Sequence, residues 1–320
     1  MRTLLGKPLL TACISCVFVL VVTLLAFVVS GCGTSGVVGD AGTVSTTATS
    51  LASEETTTTA PSDTTTTVSE ETTTTAVTGG RFTVTKVKVY FGKNEKMAAT
   101  GRVIPETQQV GAAAMKALLE GPTAAEKQAG MFSSIPEGTT FLGLEITNGI
   151  ATVDLSKEYA SGGGSLSMMM RLAEVVFTLT QFPTVDGVNF KLDGQPITVL
   201  GGEGIIIDHP MSRRDYEDMS PAILVESPTL GDNVSSPLRV TGSANVFEAV
   251  FSISVVDAAG LELSDQRVQA SAGTGTRGTF DATVEFNPSQ SGPGSLIVYY
   301  NSPKDGSKVV VDEIPVTLEK

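Results

Sequence analysis

Tryptophan is absent from this 320-residue chain, histidine occurs once, at His209, and all three cysteines fall within the first 32 positions. With one imidazole and no thiol beyond Cys32, neither a His/Cys metal centre nor thiol redox chemistry can organise a domain further along. Disulfide staples are excluded for the same reason, so any folded domain must be held by packing alone. Aromatic residues make up 6% of the chain, little material for an aromatic-lined cofactor pocket, and no cofactor is expected. Basic charge is also scarce, with 21 Lys and Arg against 34 Asp and Glu and a formal charge of −13. Without Arg2 and Lys7 the balance is 19 against 34, a formal −15. Such a surface repels nucleic acid and anionic lipid headgroups, so no nucleic acid is expected as a partner.

What is present begins with an export signal. Arg2 and Lys7 form a short basic region, and Leu9 to Val29 is a run of 21 residues without a charge, ending in Val29-Ser30-Gly31-Cys32. Cys13 and Cys16 lie inside that run, where their C-x-x-C spacing has no folded context. The ending resembles the lipobox of bacterial lipoproteins. Small residues before the cut admit the chain to the signal peptidase, and the Cys32 thiol takes the lipid. The resemblance implies a signal peptide over 1–31 and lipid attachment at Cys32. It also implies residence on the extracytoplasmic face of the cell membrane. A signal anchor of 21 apolar residues, long enough to span a ~30 Å hydrocarbon core, is the alternative.

Residues 32–80 are dominated by Thr, Ser, Ala and Gly, with an acidic residue preceding four threonines at Glu55, Asp63 and Glu71. Such a segment has almost nothing apolar to bury and cannot offset its ordering entropy, so a disordered tether is expected. Its 48 residues from Gly33 would span ~40 Å as a flexible coil.

From residue 82 the pattern turns globular. Phe82, Val84, Val87, Val89 and Phe91 alternate as in a strand, closed at Gly92-Lys93-Asn94. Val110, Ala114, Ala117 and Leu118 share a helical face that ends at Gly121-Pro122. Strands over 140–145 and 150–155 meet at Asn148-Gly149, which favours a tight hairpin. Ser165 is a candidate N-cap for a second helix carrying Leu166, Met169, Met170, Ala173, Val176 and Phe177, stopped by Pro183. A strand over 187–192 turns at Asp193-Gly194 and continues to Leu200. The expected fold class is α+β, with two helices on one face of a mostly antiparallel sheet over residues 82–204.

The motifs Ser134-Ile135-Pro136-Glu137-Gly138-Thr139, Asn148 through Ser156, Phe177 through Pro183 and Leu192-Asp193-Gly194 occur in the order seen in a known family. They resemble the sporulation and spore germination domain called GerMN. That resemblance implies an extracytoplasmic α/β module of envelope assemblies, often carried on lipoproteins. Within it, Asp154, Ser156 and Glu145 can be read as a hydrolytic set. The plainer reading makes Asp154 and Ser156 turn residues that bond local amides. Gly162-Gly163-Gly164 before a helix can be read as a phosphate cradle or as a mobile loop. Of Met168, Met169 and Met170, one is expected to face away from the core, where it would suit an adaptable contact.

Residues 205–219 read as a connector, with Ile205-Ile206-Ile207 packed on a neighbouring domain and His209 a hydrogen-bonding residue. Over 220–320, seven short β-branched runs divided by Gly, Pro, Asp and Asn predict an all-β sandwich. The segments Val225-Glu226-Ser227-Pro228, Val234 through Ala244, Val246 through Ala249 and Asp257-Ala258-Ala259-Gly260 resemble the immunoglobulin-like domain of bacterial spore germination. Phe247-Glu248 at a strand start can present an aromatic ring and a carboxylate to a sugar or peptide. Alternatively Phe247 fills the core and Glu248 bonds backbone amides. Tyr299-Tyr300 must place one ring in and one out.

The expectation is a non-enzymatic, surface-tethered lipoprotein whose two modules bind envelope proteins or cell-wall polymer. Asp154, Phe247 and Glu248 are its candidate ligand contacts. The alternatives are a cell-wall glycan or peptidoglycan hydrolase, using Asp154 with Glu145 or Glu248, and a structural ring component of a sporulation complex.

Overall fold

The computed structural model describes residues 83–202 and 204–320. Val29, Ser30, Gly31 and Cys32, with the Thr-rich segment, lie outside the described residues. The chain begins with a hairpin, β1 (Val84–Lys93) and β2 (Lys96–Pro105), followed by α1 (Val110–Leu119), α2 (Ala124–Gln128) and β3 (Met131–Phe132). Then come β4 (Phe141–Thr147), β5 (Ile150–Leu155), α3 (Ser165–Leu179), β6 (Gly187–Leu192), β7 (Gln195–Pro196), β8 (Val199–Leu200) and β9 (Ile205–Ile206). Three sheets result, ordered β2-β1-β3, β4-β5-β6-β7 and β8-β9.

The fold class is α+β, but the helices do not share one open face. From Met170 to Leu179 every residue of α3 is buried. The helix packs on β1 and β2 of one sheet, β6 of the other, α1 and the connector, so that even its polar residues Arg171, Glu174 and Thr178 are buried. Met168 and Met170 are buried and Met169 packs against the same core, so the expected outward methionine is not found. The helix starts after Gly164 in extended backbone, which moves the cap position one residue before Ser165.

Two strand pairings differ from expectation. The first strand continues into β2 through Asn94-Glu95, with φ of 51° and 60° at the turn residues. The central part of β2, Met97 to Thr100, is buried in succession, as in a strand covered on both faces. β5 and β6 run parallel, because the 31 residues between them contain α3 and carry the chain back to its starting end. The Asn148-Gly149 hairpin forms as read, with φ of 51° and 81°.

Ile205, Ile207, Met211, Tyr216 and Met219 of the connector pack on the first-domain core. The second domain follows with β10 (Ile223–Ser227), β11 (Asn233–Val234), β12 (Leu238–Ala244), β13 (Val250–Asp257), β14 (Glu262–Gln269), β15 (Gly278–Val284), β16 (Gly292–Asn301) and β17 (Lys308–Leu318). Its sheets, β10-β12-β15 and β11-β17-β16-β13-β14, enclose a separate core in which Phe251 and Phe280 meet edge to face with centroids 4.9 Å apart.

Between the two cores runs a polar and apolar seam. Leu224 of β10 joins the first-domain core. Lys86 pairs with Asp232 at 2.6 Å and Lys93 with Asp312 at 2.7 Å. At its centre the Arg213 guanidinium stacks over Tyr90 and Phe177, 5.1 and 4.8 Å from the ring centres. From there it donates to Glu226 Oε1 at 2.7 Å, to the Tyr90 hydroxyl and Thr180 Oγ1 at 3.0 Å, and to the Phe177 carbonyl at 3.2 Å. The Tyr90 hydroxyl itself donates to Glu226. All described residues fall in one compact unit.

Candidate functional site

The sequence offered the carboxylates of Asp154, Glu145 and Glu248 as chemistry, and the structure engages the first of them in holding the fold. Asp154 Oδ1 accepts the Gly194 amide at 3.0 Å, Asp193 Oδ1 accepts the Lys157 amide at 3.2 Å, and Ser156 Oγ accepts the Thr140 amide at 3.0 Å. These bonds tie the end of β5 to the turn after β6 and to the segment entering β4, and the amides accepted by Asp154 and Ser156 lie 40 and 16 residues away in sequence, not within a local turn. Glu145 is exposed and pairs across the ladder with Thr152, while Asp154 pairs with Gly143. Replacing Asp154 with alanine is therefore expected to cost about 1 kcal/mol of stability, the worth of one such bond, read as a shift in the urea midpoint.

The Gly162 loop is pinned through its carbonyls, not its amides. Arg171, 2% exposed, reaches beneath it and donates to the carbonyls of Tyr159 at 2.6 Å and of Ser161 and Gly162 at 3.0 Å. One turn further, Glu174 is fully buried and accepts from the Ser133 hydroxyl at 2.6 Å and the Ser134 amide at 2.7 Å. Burial pushes its carboxyl up to about 8 against those two bonds and the Arg171 charge. His209 stands between Asp208 and Asp215, its ring nitrogens 3.0 and 3.2 Å from their carboxylates. Among the described residues no group of three or more potential ligands is placed to hold a metal ion.

The pair Phe247-Glu248 behaves differently from every other candidate. Neither begins a strand, because Glu248 and Ala249 have φ of 55° and 59°, outside the extended region, and a short 3-10 turn precedes β13. Phe247 does not fill the core; it is 52% exposed. Together with Val250, Ser252, Arg267 and Asn301 the pair walls a cleft of about 250 Å³ at the end of the five-stranded sheet. Ser252 and Arg267 are direct cross-strand partners. Sequence reasoning missed Arg267, Ser252 and Asn301, since only strand register brings them beside residue 247. Tyr299 is buried beneath Lys308, whose ammonium sits 3.7 Å from the ring centre, and its hydroxyl donates to Asp265 at 2.7 Å, while Tyr300 is half-buried, packed against the sandwich core at the wall of the cleft.

Two other concavities are less suited to a ligand. A shallow one of about 720 Å³ includes Glu226 and Asp281, both already in ion pairs with arginines. Another, of about 380 Å³, lies between the end of α1 and residues 131–139, with Leu119, Phe132 and Ile135 as its apolar part. A binding site combines apolar surface with a few convergent, unspent polar groups, and the Phe247 cleft has both.

The fold and site thus define a two-module protein, a mixed α/β module and an immunoglobulin-like sandwich, with no nucleophile, base and acid assembled among the described residues. Residues 88–198 match the family model described as sporulation and spore germination, and residues 222–307 that of the immunoglobulin-like domain of bacterial spore germination. The chain carries one domain of each family, both associated with sporulation and germination, and the combination fits a non-enzymatic role.

Among solved structures, the chain is similar to the tandem GerMN domains of the sporulation protein GerM from Bacillus subtilis. Identity there is 16% over 63% of this chain and 62% of that one, with a TM-score of 0.37. It is also similar to a putative lipoprotein from Clostridium perfringens, at 23% identity over 41% of this chain and 89% of that one, TM-score 0.31. The first GerMN domain of GerM matches at 23% identity over 41% of this chain and 99% of its own length, TM-score 0.35. The chain thus spans less than two thirds of the tandem structure. No curated protein matches by sequence.

Proposed function

We propose that this protein is a non-enzymatic binding lipoprotein, held by lipid on Cys32 at the extracytoplasmic face of the cell membrane. Its two modules grip an envelope protein or cell-wall polymer during sporulation, germination or envelope assembly. The observation that carries this reading is the Phe247 cleft, which keeps an exposed ring and unpaired charged groups together while Asp154 and Ser156 are engaged in bonds that hold the fold. Support for two modules acting as one unit comes from the Arg213 cluster between them.

Two measurements test it. The full chain, purified in detergent, is sedimented with cell-wall sacculi and separately used to capture partners from envelope extract. Retention in at least one assay, weakened several-fold by Phe247→Ala, is expected; absence from both pellets and eluates overturns the binding reading. In cells, Cys32→Ala should leave an uncleaved precursor or release the ectodomain. A mature form that still partitions into detergent would remove the lipobox from consideration.

A further inference from the structure

The turn carrying Phe247 is held open at measurable cost. Left-handed backbone at a non-glycine residue costs roughly 1 kcal/mol or more, and Glu248, Ala249 and the facing Thr274 all adopt it. The facing loop enforces this. Thr274 Oγ1 accepts the Glu248 amide at 2.9 Å, Thr274 donates its own amide to the Val246 carbonyl at 2.9 Å, and the Gly275 amide reaches Asn245 Oδ1 at 2.9 Å. Gly273 is packed so tightly that a Cβ there would lie 2.4 Å from the Ala249 nitrogen. This strain is over-determined by its surroundings, and its effect is to push a phenyl ring into solvent. The domain buries Phe251, Phe280 and Phe286, so exposure of Phe247 forgoes about 1 kcal/mol or more of available burial.

The two charged groups beside that ring are equally unspent. Arg102, Arg213, Arg239 and Arg277 each pair with a carboxylate. Arg267 and Glu248, on the same cleft, have no ion pair or side-chain hydrogen bond among the described residues, with each other or with anything else. The cleft thus offers a donor-only group, an acceptor-only group, and two groups that do both, Asn301 and Ser252, the latter sharing its hydroxyl with Tyr299. An anionic ligand would meet Glu248 and a cationic one Arg267. A neutral ring bearing hydroxyl and amide groups on its rim and C–H bonds on its face satisfies all of them.

We propose that the cleft binds a neutral saccharide, one sugar ring lying against Phe247 with its hydroxyl or acetamido groups shared among Glu248, Arg267, Ser252 and Asn301. The volume of about 250 Å³ suits a single ring, with the rest of a chain running over the rim. This assignment rests on the binding reading above and narrows it to one ligand class.

The test is calorimetric titration of the full chain with two probes, the tetramer of N-acetylglucosamine and cellotetraose, alongside dialanine and acetate. Saturable binding of at least one oligosaccharide in the high-micromolar to millimolar range is expected, with neither control binding. Phe247→Ala should weaken it about tenfold or more, and Glu248→Gln and Arg267→Ala several-fold each. All three positions are exposed, and an unchanged thermal midpoint verifies that each variant is folded. No saturable binding up to about 10 mM, or undiminished binding by Phe247→Ala, overturns the saccharide assignment. If sacculi or extract still retain the chain through Phe247 while both oligosaccharides fail, the binding reading stands and only the ligand class falls.

Discussion

Replacing Arg213 with alanine should lower the thermal midpoint by about 10 °C. The guanidinium is the only described cation in contact with Glu226, whose side chain is 18% exposed, and it simultaneously bonds Tyr90, Thr180 and the Phe177 carbonyl. Removing it leaves a largely buried carboxylate without its bonded counter-charge and with only the unbonded Lys88 to favour it, a loss of about 3 kcal/mol, and for a folded unit of this size each kcal/mol moves the midpoint by roughly 2–4 °C. Burial alone would raise the Glu226 carboxyl; the Arg213 charge and the Tyr90 hydroxyl override it and hold it below the ordinary carboxylate value. That contribution to stability is present above pH 4.5 and is lost as pH falls through the lowered value.

Arg213→Lys should recover little of the loss, because an ammonium cannot span the carboxylate, hydroxyl and carbonyl at once or lie flat on two rings. Arg213→Met combined with Glu226→Gln should recover more than half, since no charge is then stranded. Calorimetry of the four proteins decides the matter, and a midpoint within 1–2 °C of the parent for Arg213→Ala would refute a central role for the cluster.

The second large effect is on pH. Glu174 is fully buried with its carboxyl pushed to about 8, so the folded state holds a proton that the unfolded chain releases near 4.5. A raised value means the contribution is complete below pH 4.5 and is lost as pH rises to about 8, on the order of 5 kcal/mol across the window. Glu174→Gln keeps a partner for Ser133 and Ser134 without the charge. It should match the parent within about 1 kcal/mol at pH 5 and exceed it by a few kcal/mol at pH 9. Denaturant midpoints for both proteins at pH 5, 7 and 9 measure this; parallel pH profiles would show that Glu174 is ionised throughout.

Elements whose structure depends on neighbours in sequence were legible. Val110, Ala114, Ala117 and Leu118 repeat at helical spacing and form α1. Asn148-Gly149 tolerates positive φ at both positions and forms the hairpin turn. The β-branched runs after residue 220 form the sandwich with boundaries moved by a few residues. Asn94-Glu95 makes the same kind of turn without a glycine, and Met97-Ala98-Ala99 carries no β-branched side chain of the kind that marks a strand, so β2 escaped notice.

The sequence by itself determined the composition limits, the order of the two modules and most of their elements, because propensity, periodicity and turn chemistry act over a few residues. Tertiary structure alone decided that β5 and β6 run parallel and that α3 is enclosed. It also brought Arg213, Tyr90 and Glu226 together from separations of up to 136 residues. The functional surface belongs to the same class. Phe247 reads as core in one dimension, and the Thr274 loop, which accepts the amide of Glu248 from 26 residues away, holds the turn that leaves it exposed beside Arg267. Contacts between distant segments depend on the summed packing of the whole domain, which no local pattern encodes.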